Sequence, residues 1–491
     1  MTEAEERGGT PDARAAARGT LALFALQTIA RLLGVVFVVS VARSIAPNQF
    51  GRYSIVTGIV VFGSTVADFG ITPVMIRSVS RDRACADALL RGTLLTSFAI
   101  GLVVYALSLA FVGLAGYPHE TLLDTLIGGA ALPLTCVVTS ILGSLDGAGL
   151  ISARAGVTLL QVFVVTIGGA VPVVLGADIR IALIAFAAAP AVGCVAGAIV
   201  ARRSRLWSGR VAFDIERSRQ LVRLALPFAL LAGLGAVYRR FDLLVLSSVG
   251  TRTQVTDYDI ALRVIEAVGY LGTVLSAPAL FILSRRVAAG DSEGTQRAFA
   301  AACRAAYLIG LPAAAGIIAL HTQIATEVFG GRYSGASIPL AILGAQIWLD
   351  FINTLQGTLI VAADTVRAAM PRAVIVMGVL VALDIALVLA FRAVGAAVAL
   401  AVFQIINVAV FRRFNARSTG IHTPLPQIQV LGAAAACGLT AAMVASVSLA
   451  LAVVAGGFAY AVVLAVTGGV QRTDFDLLRR ATGAVSPPTR R

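Results

Sequence analysis

Apolar residues run almost unbroken for about 20 positions at a time, the length of a membrane-crossing helix. Polar residues gather in short clusters between these runs. The pattern predicts fourteen helices, over 20–41, 53–75, 92–115, 122–143, 155–176, 179–201, 221–247, 258–283, 299–320, 336–362, 372–391, 394–412, 428–447 and 449–468. Barrel strands would alternate over about ten residues, and these runs do not. Helices satisfy their own backbone groups in hydrocarbon. The predicted fold class is all-α integral membrane, with about 14 transmembrane helices in two six-helix lobes plus a C-terminal pair. The expected organisation is a tail over 1–19, a first lobe over 20–201, a linker over 202–220, a second lobe over 221–413, the pair over 428–468 and a tail over 469–491.

The basic residues then orient the spans. All 39 are Arg. With the N-terminus inside, inside segments hold 28 of them, outside loops hold six and the spans themselves five. Such a bias marks the cytoplasmic side, so both termini are expected to be cytoplasmic. The stretch "RRSRLWSGRVAFDIERSRQLVR", 202–223, carries seven Arg near the middle of the chain. It reads equally as a linker resting on anionic membrane lipids or as a solvated connection.

The two halves show traces of duplication, a common way to build transporters. In "QFGRYSI", Gln49, Phe50, Tyr53 and Ile55 align with Gln254, Val255, Tyr258 and Ile260 of "QVTDYDI". The same offset pairs Pro73 with Pro278 and Arg81 with Arg286. Further on, Asp146 aligns with Asp364 and Arg154 with Arg372. Both heptapeptides are expected to be the turn joining the first two spans of a lobe. Six helices per half give the halves the same orientation, with an axis along the membrane normal.

Ionisable groups within spans cost about 2.5–3.5 kcal/mol on insertion scales and usually face a bundle interior or an aqueous cavity. Gln27 and Arg31 share one face of the first span at i,i+4. Arg239, Arg240 and Asp242 cluster in the seventh, and Arg263 and Glu266 lie at i,i+3 in the eighth. Gln346, Asp350 and Asn353 form a polar stripe on the tenth. One reading makes these the lining of a hydrated cleft, with Arg31, Arg239, Arg240 and Arg263 binding an anionic substrate, since the guanidinium fork suits phosphate. In the other, Arg239–Asp242 and Arg263–Glu266 are intrahelical pairs and the stripe bonds helix to helix. Asp384, mid-span, either carries a coupling ion or pairs with Arg304.

Composition removes other classes. The net charge of +14 lies in short interspan loops, so nucleic acid is not an expected partner. Cys85, Cys136, Cys194, Cys303 and Cys437 show no ligand spacing, so neither disulfide nor metal is predicted. HExxH, G-x-S-x-G and P-loop patterns are absent. No catalytic residue and no cofactor is predicted.

The segment "ARSIAPNQFGRYSIVTGIVVFGSTVADFGITPVMIRSVSR", 42–81, resembles the first helical hairpin of the polysaccharide biosynthesis (oligosaccharide flippase) family. The matching positions are Ala42, Arg43, Pro47, Phe50, Gly51, Tyr53 and the run Ala67–Gly70. In the second half, Asp242, Leu243 and Leu244, then Tyr258, Ala261, Arg263 and Glu266, are similar to the family pattern; the sequence departs from it at Thr256, where Gly is usual. The resemblance implies a non-enzymatic flippase of the cytoplasmic membrane. It would move polyprenyl-(di)phosphate-linked oligosaccharide outward by alternating access, alongside polysaccharide assembly proteins. A cation-coupled multidrug exporter of the same fold, and a non-transporting scaffold or polymerase, are the competing readings.

Overall fold

The computed structural model describes residues 11–68, 70–209 and 240–469, with the isolated positions 235 and 238. Helix is the regular structure of the described residues, joined by turns and short extended stretches, and no strand occurs among them. Eleven of the helices are long and apolar enough to cross a membrane. One of these, Val366–Thr419, has 54 residues. At about 1.5 Å per residue it is far longer than a bilayer core of about 30 Å. It breaks at Arg392, where φ is 54° and ψ −127°, between the predicted spans 372–391 and 394–412. The predicted span 221–247 lies mostly outside the described residues.

The chain divides into two compact units, Met1–Val255 and Thr256–Arg491. In the first unit, α1 (Pro11–Ser44) is followed by α2 (Pro47–Asp68). Proline suits a first helical position because its missing N–H has no partner there in any case. Gln49–Ile55 is therefore not the expected turn but the opening of α2, and only Ile45 and Ala46 turn the chain. Gly70, at φ 72°, breaks α2 from the short α3 (Ile71–Arg81). Ile71, Val74, Met75 and Val79 of α3 face the core, while Arg77 and Arg81 are exposed. Then come α4 (Ala86–Leu114), α5 (His119–Gly129), α6 (Ala131–Gly147), α7 (Ile151–Val165) and α8 (Arg180–Arg203). A wide π-turn, Thr166–Ala170, carries α7 on to Val174.

Small residues bring these helices close, as packing in lipid requires. A Cβ at Gly101 of α4 would lie 2.6 Å from Pro133 Cα of α6, and one at Gly147 would lie 2.8 Å from Ile76 O. After α8 the chain folds back: Arg202 stacks on Trp207 at 5.2 Å and the Ser208 N–H donates to Asp87 Oδ1 at 2.7 Å. A further helical segment, 240–249, completes the unit.

In the second unit, α9 (Arg252–Ala288) begins just before the division and leads to α10 (Ser292–Gln323). The Asp291 side chain caps α10 through the Gly294 N–H, at 2.7 Å. There follow α11 (Ser337–Ala362), α12 (Val366–Thr419), α13 (Ile428–Val444) and α14 (Leu449–Val466). The extended strap 421–427 between α12 and α13 is pinned at four points. The Gln296 amide brackets the His422 backbone at 2.7 and 2.9 Å, and the Tyr307 hydroxyl donates to Pro424 O at 2.8 Å. Gln356 Nε2 donates to Thr423 Oγ1 at 3.1 Å, and Arg304 bonds the Gln427 side chain.

The aligned heptapeptides occupy matching places. Phe50, Tyr53 and Ile55 are buried in the opening turns of α2, as are Val255, Tyr258 and Ile260 in those of α9. The second aligned block is less alike. Arg154 Nε pairs with Asp146 at 3.1 Å, whereas Arg372 donates to Ala368 O and stacks on Phe414 at 4.8 Å.

Candidate functional site

The polar groups predicted to line a cleft fall in both units. In the first, Gln27 is half-buried and Arg31 exposed, on α1. Arg240 and Asp242 are buried on the 240–249 segment, and Asp242 Oδ1 accepts the Leu243 N–H at 2.6 Å. Arg239 lies outside the described residues.

In the second unit the predicted stripe on α11 becomes a hydrogen-bonded ladder. The Asp350 carboxylate accepts from Gln404 Nε2 of α12 at 2.9 Å. Gln404 Oε1 in turn accepts from Asn353 Nδ2. A carboxylate can only accept, so it turns the Gln404 amide nitrogen toward itself and the Gln404 oxygen toward Asn353. The Asn353 oxygen is left as an unbonded acceptor, and so is that of Gln346, one turn before Asp350 and 4% exposed. Gly269 of α9 faces this ladder: a Cβ there would lie 3.5 Å from Asp350 Oδ2. Gln404 joins the ladder across helices, a contact that no spacing along one helix announces.

Arg263 Nε donates to Asp259 Oδ2 at 2.7 Å, and Asp259 is 1% exposed. Asp259 stands at i−4 to Arg263, one turn before it, whereas the expected partner Glu266, at i+3, is exposed. Pairing with Arg304 is one of the two roles expected for Asp384, but Arg304 bonds Gln427 and the Gly469 carbonyl. Asp384 itself is fully buried.

This fold is that of a multi-pass membrane transporter. Solved structures share it over nearly their whole length, all at identities that speak for fold alone. The lipid II flippase MurJ in an inward closed conformation matches at TM-score 0.70 and 15% identity, over 91% of this chain and 98% of that one. An inward-facing multidrug resistance MATE transporter of the MOP superfamily matches at TM-score 0.64 and 15% identity, over 80% and 94%. A MOP superfamily transporter from Pyrococcus furiosus matches at 0.57 and 14%, over 82% and 94%. No protein of curated function matches in sequence. The model of the polysaccharide biosynthesis protein family matches residues 16–281, more than half the chain, and the protein belongs to that family.

Proposed function

We propose that the protein is a flippase of the cytoplasmic membrane that carries a polyprenyl-(di)phosphate-linked oligosaccharide to the outer leaflet by alternating access, for surface polysaccharide or glycoprotein assembly. The observation that carries this reading is family membership joined to a flippase fold along 91% of the chain. The side chains suit the cargo. Arg31, Arg239, Arg240 and Arg263 supply cations for the phosphate, and Gln27, Asp242 and Glu266 complete the polar lining. The Asp350–Gln404–Asn353 ladder, with the Gln346 oxygen, presents amide and carboxylate groups that bond sugar hydroxyls. Both termini and the exposed Arg202, Arg203 and Arg205 belong on the cytoplasmic face, against anionic lipid headgroups.

The second reading, a cation-coupled multidrug exporter, is favoured by Asp384, a fully buried carboxylate mid-helix, and by the MATE likeness. One experiment separates them. In a deletion strain the flippase reading expects lipid-linked sugar to accumulate on the inner leaflet. Arg31→Ala should reproduce this without loss of membrane insertion. Normal translocation together with lost drug resistance would overturn the flippase reading and support the exporter.

A further inference from the structure

Within the second unit, α9 turns two different faces outward. Glu266, Tyr270 and Thr273 follow one another at steps of four and three residues, so they share one face of the helix. Glu266 and Thr273 are exposed, and Tyr270 between them is half-buried. Leu271 lies about 100° round the helix from Tyr270 and is 44% exposed. Tyr270 is the central residue of the 37-residue α9. It stands about 27 Å from either end at 1.5 Å per residue, near the middle of a crossing of a bilayer core about 30 Å thick.

The Thr273 hydroxyl donates to Tyr270 O at 2.7 Å, and a back-bonded hydroxyl alone is tolerated in lipid. A carboxylate exposed at that depth is not, so the Glu266 face opens on water, whereas the Leu271 face suits lipid tails. The polar face also borders the ladder of α11. A Cβ on Gly272 would lie 2.7 Å from the Phe351 ring, and one on Gly269 would lie 3.5 Å from Asp350 Oδ2. Gly272 thus lets the two helices approach, and Gly269 leaves the half-buried Asp350 carboxylate uncovered on that side. The cation next along α9, Arg263, is engaged by Asp259 at 2.7 Å. What the face offers is two carboxylates, a phenol and a hydroxyl. That set repels phosphate. It suits a neutral ring bearing hydroxyl groups, because carboxylates accept hydrogen bonds and tyrosine joins an apolar ring to a polar tip.

We propose that Glu266, Tyr270, Thr273 and Asp350 form a carbohydrate-binding wall in the second unit. The Tyr270 ring packs against the C–H face of a neutral pyranose, while Glu266, Asp350 and Thr273 Oγ1 accept from its hydroxyls. Gly269 sets the room left beside Asp350. A wall built to bond hydroxyl groups rejects a ligand that lacks them, so it separates a sugar-bearing lipid from a bare lipid phosphate. Assigning this sugar to a translocated lipid rests on the flippase reading above; the water-filled face of α9 does not.

The experiment uses the full chain in lipid nanodiscs, with the five native cysteines replaced and a single thiol returned on α9. A membrane-impermeant maleimide should label Thr273→Cys at least about tenfold faster than Leu271→Cys, the effect of one pKa unit on a thiolate that hydrocarbon suppresses. Equal rates would overturn the proposal, because the two faces would then meet the same surroundings. Polyprenyl diphosphate bearing N-acetylglucosamine should slow the labelling of Thr273→Cys about two- to tenfold, and polyprenyl diphosphate without sugar should not. Tyr270→Ala should remove that protection and Tyr270→Phe should keep most of it. Gly269→Leu, which covers Asp350, should also remove it, and Gly269→Ala, at ordinary contact distance, should not. Protection by both lipids alike, or by neither, would overturn the carbohydrate assignment. If only the sugar-bearing lipid protects while the protein translocates none of it in vesicles, the wall stands and the flippase reading falls. If translocation proceeds and neither lipid protects, the wall falls and the flippase reading stands.

Discussion

Asp124→Asn tests how the first unit is held together. The substitution keeps the shape of the side chain and removes its charge. In the native protein this carboxylate has no exposed surface, and the Arg52 side chain beside it is 11% exposed. The Nε–H of Arg52 donates to Oδ2 at 2.6 Å, and its Nη2 lies in ionic contact at 2.5 Å, outside hydrogen-bond geometry. Removing one partner of a buried pair costs about 3–5 kcal/mol, because the remaining charge is left uncompensated. Glu120 also touches Arg52 but is mostly exposed, so it offsets only part of the loss. The expected cost is therefore at the lower end, about 3 kcal/mol. Arg180→Ala, at a side chain 40% exposed, removes a screened contact and should cost clearly less. The assay is the fraction of detergent-solubilised protein that remains monodisperse after heating, followed by fluorescence-detected size exclusion. The reasoning fails if Asp124→Asn and Arg180→Ala lose the same amount, or if Asp124→Asn matches the wild type.

Other outcomes follow from the packing and the ladder. Gly101→Ala places a Cβ 2.6 Å from the Pro133 backbone, which cannot rotate aside, and should cost about 1–3 kcal/mol. Gly58→Ala meets only the flexible end of Leu243 and should cost less in the same thermal assay. Gln404→Leu removes the bridge between Asp350 and Asn353. It should reduce translocation in vesicles while leaving membrane insertion intact, and equal translocation would remove the ladder from the site. The Asp291 carboxyl is held below its usual range by the Gly294 N–H and then by Arg286. A depressed folded value adds stability above the ordinary carboxylate pKa of about 3.9, and this is lost as pH falls through the folded value. Wild-type protein should therefore lose melting temperature below about pH 4 more steeply than Asp291→Asn. Parallel acid limbs would contradict this.

How much of the site was legible depended on the range of each interaction. The α11 stripe of Gln346, Asp350 and Asn353 follows from helical spacing alone, and the structure shows two of the three in one hydrogen-bonded chain. Arg263 reads from the sequence as a charge within a span, but its bonded acid, Asp259, lies one turn back and is buried. The heptapeptide at 49–55 reads from the sequence as a repeated turn, and the structure makes it the opening of α2. Pro47 starts the helix earlier than hydropathy suggests, because Gln49 is half-buried and the Arg52 charge is met by Asp124 and Glu120 while Phe50 and Tyr53 are buried.

Hydropathy and Arg placement by themselves determined that this is an all-helical chain crossing a membrane many times. That followed because lipid leaves a backbone no partner but itself and because cytoplasmic loops concentrate positive charge. The motifs of 42–81 carry the resemblance to the family whose model matches residues 16–281. The tertiary structure alone decided which charges meet. Asp124 is 72 residues from Arg52 and 56 from Arg180, Gln404 is 54 from Asp350, and Tyr117 is 130 from Ser247. No periodicity along one helix encodes such distances. They are set by which helices pack together, and that depends on small residues and side-chain volumes distributed over the whole chain.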